Sequence, residues 1–317
     1  MGPEDRVPED GVPADTAPDV VVVGSANVDL VLPVQRLPRP GETVLAGALT
    51  RGPGGKGANQ AVASARAGAR TAMVVALGDD DGGALLRDAL ADVDLSLATT
   101  SRTPTGTALI TVDETGENSI VVAPGANGEL TLSAAARAAI GQAKIVLSQL
   151  EIPFQTVQAA AEAAPYFVLN AAPAAELPDE LLAAVDLLVV NETEAEAIAG
   201  ADRSALLKKV PAAVVTLGGA GAVILTRDQA GEIAVPGVRV DVVDTTAAGD
   251  TFCGVLAASL AERLVSGSVD DSITASDLTN AVRRANVAAS LSVQVAGAIA
   301  SVPHGAAIDA RYAEVYS

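Results

Sequence analysis

The chain has 317 residues, half of them hydrophobic and 2% aromatic, and carries a formal net charge of −19. That length suffices for one substantial core plus a small accessory domain, while the charge repels nucleic-acid backbones and anionic membranes, so neither is an expected partner. Charges and turn residues interrupt every apolar run before it could span a membrane, and the polar, acidic N-terminus lacks the pattern of a signal peptide, so a cytoplasmic location is expected.

Residues 1–18, rich in Pro, Asp and Glu, read as a disordered acidic tail, which leaves 19–317 as the folded part. A first strand is predicted over 19–25. Asn27 and Asp29 follow it, where open α/β sheets place ligand-binding residues, and their short polar side chains suit recognition of hydroxyl groups; an ordinary Asx turn is the alternative. Residues 28–48 and 107–122 contain no helix and read as a small β-sheet projecting from the main domain, with one strand predicted over 42–49. The Gly-rich run 52–60 opens an apolar helix. It matches G-x-G-x-x-G from Gly52 through Gly54 to Gly57, but more than about twenty residues separate it from the first strand, the wrong context for a dinucleotide site. Nor is it a P-loop, because Thr50 and Gly57 stand where that motif needs Gly and Ser or Thr.

Apolar runs at 72–76, 144–148, 166–169, 187–190 and 213–217 alternate with Ala-rich segments of helical length, the rhythm of a parallel α/β sheet. Residues 243–252 then set a carboxylate on a turn of small residues just where another apolar helix begins. Ala247, Ala248 and Gly249 let a ligand approach the backbone, and the N–H groups of a first helical turn attract phosphate. Asp250 beside a transferring phosphate makes sense as a base that takes a proton from an attacking hydroxyl, although an Asp at a helix start also reads as an N-cap. Cys253, the single cysteine, precludes an intramolecular disulfide and reads as a packing thiol. The single histidine, His304, rules out multi-histidine metal sites and disfavours a Ser-His-Asp hydrolase; it reads as a surface loop residue.

The runs Asn27-Val28-Asp29, Pro40-Gly41-Glu42-Thr43, Gly54 to Ala61, Gln149-Leu150-Glu151, Asn191 to Glu196 and Asp244 to Phe252 stand in the order seen in the PfkB carbohydrate kinases. Over residues 20–310 the chain resembles that family and, through Gly116 to Ile120, Pro124 to Asn127 and Leu177 to Leu182, its ribokinase branch. The resemblance implies a ribokinase-like three-layer α/β/α domain with a mainly parallel central sheet and a small β-sheet lid over the sugar. Apolar area on an exposed lid makes a homodimer through the lids the expected assembly.

By the same resemblance, Gly54, Gly55, Lys56 and Asn59 form the second wall of the sugar site beside Asn27 and Asp29, with Glu151 as a further hydroxyl acceptor and Asp250 touching the substrate. A Gly-rich helix entry and a surface Glu are the plainer readings. Asn191 and Glu194 match a family element that holds Mg2+ through water and steers the nucleotide phosphates; a capped acidic helix start is the alternative. Thr216, Gly218, Gly219 and Gly221 resemble the nucleotide loop, against a plain tight turn, and Asn286 corresponds to a position near adenine or ribose. Asp244, Thr246, Ser292, Val295, Gly297 and Ser301 align with a monovalent-cation site, implied to take K+; Val295 and Ala296 replace a basic pair common in the family. Residues 200–212 are short for the family and 266–277 look inserted, both near the expected nucleotide base. The implied reaction is transfer of phosphate from ATP to O5 of D-ribose. A kinase for another sugar or a nucleoside is the alternative, followed by a catalytically silent sugar-binding regulator.

Overall fold

The structure, a computed structural model, describes residues 17–264 and 272–316. The predicted tail therefore lies almost wholly outside the described residues, as does half of the 266–277 segment. The first half of the chain contains β1 (Val20–Val23), β2 (Asn27–Pro33), β3 (Thr50–Gly54), α1 (Lys56–Arg66), β4 (Thr71–Val74), β5 (Ala76–Gly78), α2 (Asp81–Ala89), β6 (Thr99–Ser101), β7 (Gly106–Val112) and β8 (Asn118–Ala123). Next come α3 (Ala134–Gln142), β9 (Ile145–Ser148), α4 (Phe154–Ala163), β10 (Phe167–Asn170), α5 (Asp179–Ala183), β11 (Leu187–Asn191), α6 (Glu192–Ala199) and β12 (Ala212–Thr216). β13 (Gly221–Thr226), β14 (Ile233–Pro236), α7 (Ala248–Arg263), α8 (Ala275–Ser292) and α9 (Gly305–Tyr316) complete the described elements.

Eight strands form the central sheet in the order β14-β13-β12-β11-β10-β9-β1-β4. From β12 to β4 every pairing is parallel, and β13 and β14 add an antiparallel edge. The strands are short and apolar on both faces, so their period of two sorts alternate residues into two cores. Val20, Val22, Ile145, Leu147, Leu187 and Val189 face the layer containing α1, α7 and α8. Val21, Val23, Val146, Leu169, Leu188 and Val190 face the layer of α3, α4, α5 and α6. α7 is deeply enclosed: from Asp250 to Ala258 every residue is buried, because α1 and α8 both pack on it. Gly254 permits the α1 approach, since a Cβ there would run into the carbonyl of Gln60 and lie 2.6 Å from the Ala63 methyl.

The second sheet, in the order β3-β2-β7-β8, stands beyond the first strand and forms the small projecting layer. Its β2–β7 pair is parallel and its outer pairs are antiparallel. The strand predicted over 42–49 is not formed: that segment makes an isolated bridge, Val34 to Ala46, and the pairing strand is Thr50–Gly54. Arg51-Gly52-Pro53-Gly54 carries turn composition, yet at an edge a Pro and two Gly are tolerated because only one side of the strand is paired. The antiparallel pair β13–β14 was not anticipated either, and the shortened 200–212 segment contains a 3-10 helix over Arg203–Lys208.

Candidate active site

The site gathers at the carboxyl ends of the parallel strands, where helix N-termini converge and backbone donors are free. β1 leads to Asn27, β9 to Gln149 and Glu151, β10 ends on Asn170, β11 on Asn191 and β12 on Thr216. The lid sheet is rooted here as well. Asn27 pairs in register with Gly54 on one side and Gly106 on the other, and Asp29 with Gly52 and Ala108. Gly54 has no Cβ to spare, because one would collide with the Asp29 carboxylate.

Asp250 is the third residue of α7 and 8% exposed. It is not the helix cap. That position belongs to Ala247, in the left-handed region at φ 58 and with no side-chain cap bond, a conformation that costs an L-residue about 1–2 kcal/mol. Two amides of α1 bind the carboxylate: Asn59 Nδ2 donates to Oδ2 at 2.9 Å and Gln60 Nε2 to Oδ1 at 2.9 Å. Burial pushes the Asp250 pKa up, against the opposing pull of the Lys56 charge and these two donors. Asn59 Oδ1 is buried without a partner, an acceptor that a ligand hydroxyl would satisfy.

The Asp250, Glu151 and Glu194 carboxylates share one ammonium, that of Lys56. Asp29 is pushed up to about 7, by burial first and then by the negative charges of Glu151 and Asp250. For Lys56 burial works against the charge, but Asp250, Glu151 and Glu194 together hold it above its ordinary value. Glu151 also serves α1: its Oε2 accepts from the Lys56 N–H at 3.2 Å and from Ser25 Oγ at 2.5 Å, so it places negative charge at an otherwise uncapped helix start. Asn27 is 2% exposed and fixed from beneath, its Oδ1 accepting from Asn127 Nδ2 at 2.8 Å. Cys253, one turn after Asp250, is buried, and burial and the Asp250 charge push its thiol well above the usual range.

A cleft of about 650 Å³ opens on the other side of the α7 N-terminus. Asn191, Thr216, Gly218, Gly219, Gly221, Gly249 and Asn286 all line it, with apolar walls from Val238, Val240, Val242 and Val293. Glu194 does not line the cleft; it is buried behind Asn191 in a capping box, accepting from the Asn191 N–H at 2.8 Å while Asn191 Oδ1 accepts from the Glu194 N–H at 2.8 Å. The loop at Gly218–Ala220 is a 3-10 turn. Thr245, Ala248 and Gly249 face the cleft while the next residue, Asp250, is bonded to Asn59 of the polar cluster. One helix start thus borders the cleft on one side and the polar cluster on the other, an arrangement suited to passing a group from an anion to a hydroxyl.

A family model described as pfkB family carbohydrate kinase matches residues 17–305. The chain belongs to this family. It is 40% identical over 311 residues to the bifunctional ribokinase/ribose-5-phosphate isomerase A of Fructilactobacillus sanfranciscensis, covering 91% of this chain but spanning only 55% of that relative. With the ribokinase of Haemophilus influenzae it shares 37% identity, across 90% of this chain and 95% of that one. The structure of Arabidopsis thaliana ribokinase complexed with ribose and ATP superposes with a TM-score of 0.81 at 33% identity, covering 94% of this chain and 99% of that one. A carbohydrate kinase of the PfkB type is a phosphotransferase.

The expected metal positions can be tested on the donors present. Among the described residues no group of three or more His, Cys, Asp or Glu side chains could hold a metal ion. Glu194 spends Oε2 on the cap and retains Oε1, which suits Mg2+ held through water and nucleotide phosphates rather than by a protein cage. Asp244 joins two segments: Oδ1 accepts from the Thr246 N–H at 2.9 Å and Oδ2 from the Gly297 N–H at 2.8 Å. Burial works against its charge, but the Gly297 and Thr246 donors outweigh that and hold its pKa below the usual carboxylate range. The N–H groups of Val243 and Asp244 both reach the Val293 carbonyl, which brings Ser292 and its neighbours alongside. Val295 is 49% exposed, and its N–H donates to the Ser292 carbonyl. Ser301 is buried, with its hydroxyl donating to Ala298 inside its own turn. A donor set made of carboxylate and carbonyl oxygens fits a hard monovalent cation.

Several members of the polar cluster escaped sequence reasoning. Gln60, Gln149 and Asn170 lie beneath Asp250, and Asn127 beneath Asn27. The available signal was an uncharged amide inside an otherwise apolar helix or at the end of a buried strand, where a polar group needs a partner.

Proposed function

We propose that this chain is an ATP-dependent ribokinase, transferring the γ-phosphoryl group of ATP to O5 of D-ribose to give D-ribose 5-phosphate and ADP. The observation that carries the reading is the position of Asp250, bonded to Asn59 on one side and adjacent in sequence to Gly249 in the wall of the cleft. Ribose occupies the cluster of Asn27, Asp29, Gly54, Gly55, Lys56, Asn59 and Glu151. Asp250 Oδ2 takes the proton of the O5 hydroxyl as the new O–P bond forms and the bond to the leaving ADP oxygen breaks. Backbone N–H groups of Ala247 to Asp250 hold the equatorial phosphoryl oxygens, and the lid excludes water. Asn191, Thr216, Gly218, Gly219, Gly221, Gly249 and Asn286 position the nucleotide, and Glu194 holds Asn191 from behind. Mg2+ supplies charge neutralisation on the phosphates when bound.

Asp244, Thr246, Ser292, Val295, Gly297 and Ser301 are the proposed K+ ligands; the same carboxylate that ties Thr246 to Gly297 braces the turn leading to Asp250. The lid strands β7 and β8 expose Leu109, Ile120, Val121 and Val122, which supports a homodimer through the lids. Among the described residues no helix is long and apolar enough to cross a membrane; a cytoplasmic location rests on composition.

ADP release with Mg-ATP is the test, with D-ribose, 2-deoxyribose, fructose and adenosine offered separately in potassium and in sodium buffer. Ribose-dependent turnover enhanced by potassium is the expected result. Turnover with a different acceptor alone would overturn the ribose assignment and keep the phosphotransfer chemistry.

A further inference from the structure

Beneath Asp250 lies a chain of side-chain amides whose directions are fixed by what anchors it. The Val189 carbonyl can only accept, so Asn170 turns Nδ2 to it, at 3.2 Å, and presents Oδ1 to Gln60. Gln60 must then present Nε2, which donates to Asn170 Oδ1 at 3.0 Å and to Asp250 Oδ1 at 2.9 Å. Its remaining Oε1 accepts from Gln149 Nε2 at 2.6 Å. Both glutamines are 0% exposed. Every amide orientation thus follows from donor and acceptor chemistry: a flipped Gln60 would set its oxygen against two acceptors, the Asp250 carboxylate and Asn170 Oδ1.

We propose that Gln60 is a positioning residue for the phosphotransfer base, holding Asp250 Oδ1 in the core so that Oδ2 alone is directed to the acceptor hydroxyl, with Gln149 and Asn170 locking its amide. The two donors on Asp250 differ in kind. Asn59 is 5% exposed and has an unpartnered oxygen, so sugar binding can rearrange its contacts, whereas Gln60 has no exposed atom and its amide bonds only to other side chains of the protein. A carboxylate rotating freely about its terminal bond would offer either oxygen at varied angles, and small misplacements at a reacting centre are expensive in rate. The Gln60 bond also favours the charged form of a buried acid that burial pushes toward neutrality. Lys56, Glu151, Asp29 and Cys253 are the other charged or titratable groups whose charges bear on Asp250 or feel it.

This role rests on the assignment of Asp250 as the base, so the test needs one readout that does not require ribose turnover. Gln60→Met keeps length and removes the donor; Gln149→Met leaves Asp250 untouched and frees the Gln60 amide. Both would be assayed for kcat and KM across pH, with 13C-carboxylate NMR titration of aspartate-labelled protein, the Asp250 resonance assigned by its loss in Asp250→Asn. Gln60→Met is expected to lower kcat by about 10–100-fold, to leave the sugar KM within about threefold, and to move the acid limb of the pH profile and the Asp250 titration upward together. Gln149→Met should shift the same readouts in the same direction by less, and it carries the test if Gln60→Met fails to fold. An unchanged Asp250 titration and pH limb in both methionine variants would overturn the proposal. A wild-type enzyme inactive with ribose would leave the NMR titration to decide, separating failure of this role from failure of the ribose assignment.

Discussion

Asp250 combines burial, a positive neighbour and two amide donors, and these terms pull in opposite directions: burial favours the neutral acid, while Lys56, Asn59 and Gln60 favour the carboxylate. A base must be charged when the hydroxyl arrives, which accounts for so many donors on one group. Asp250→Asn removes the proton acceptor and keeps the shape, and is expected to cut kcat by roughly 10²–10⁴ with ribose binding nearly intact. Steady-state rates alongside calorimetric binding would check this, and near-normal turnover would remove Asp250 from the role. Asp29 gives a pH signature. It titrates from 3.8 in an unperturbed chain to about 7 in the folded, sugar-free protein, so the folded state holds its proton more tightly. The stability this contributes is fully present below about pH 4 and is lost as pH rises through about 7. Asp29→Asn should therefore stabilise the sugar-free protein at pH 8 by about 1–3 kcal/mol and hardly at pH 4, measured by denaturant titration. Sugar hydroxyls donate to the charged form, so wild-type ribose affinity should climb between pH 6 and 7 and level off above. An affinity independent of pH across that range would exclude Asp29 as a charged acceptor.

At the scale of elements, the pair α1 and α7 makes the site. α1 supplies Lys56, Asn59 and Gln60, α7 supplies the Ala247–Asp250 turn, and their contact sets the distance between donors and base. Gly254 is the point of closest approach. Gly254→Ala would press a methyl against the Gln60 carbonyl, separating the helices and costing about 1–3 kcal/mol of stability. The same substitution should lower kcat by a larger factor than it raises the ATP KM, since the displaced helix carries the donors on Asp250; a rise in KM as large as the fall in kcat would place the damage elsewhere. The start of α6 shows that a cap and a ligand site are not exclusive. The Asn191–Glu194 box is a structural cap of the kind worth about 1 kcal/mol, and Asn191 nevertheless lines the cleft proposed for the nucleotide.

The described residues form an α/β sheet with the candidate site at the carboxyl ends of its parallel strands and a smaller sheet joined to it where Asn27 pairs with Gly54. Strand β8 is exposed along its full length, and Ile120 and Val121 are 53% and 63% exposed, apolar area that a second lid would cover. Val121→Asp is expected to weaken self-association at least about tenfold in sedimentation velocity; a wild-type protein that is monomeric at every concentration would refute the lid-to-lid dimer. Removing the cation has its own outcome: Asp244→Ala should abolish the advantage of potassium over sodium, and persistence of that advantage would move the cation elsewhere.

Much of this architecture was written locally. Short runs such as Val20–Val23 and Leu187–Asn191, apolar on both faces, announce buried parallel strands, and the small residues before Asp250 announce a helix start. Where composition and tertiary context disagreed, context prevailed: Thr50–Gly54 reads as a turn and is an edge strand because β2 offers it a ladder. The sequence by itself determined the parallel core of the sheet and the order of its motifs, since these depend on periodicity and residue type. Only the tertiary structure decided that Gln60 and Asn170, 110 residues apart, share one proton chain to Asp250, that Glu151 caps α1, and that Glu194 lies behind the cleft wall. Hydrogen bonds across such separations are set by which helices and strands pack together, and no local pattern in the chain records that choice.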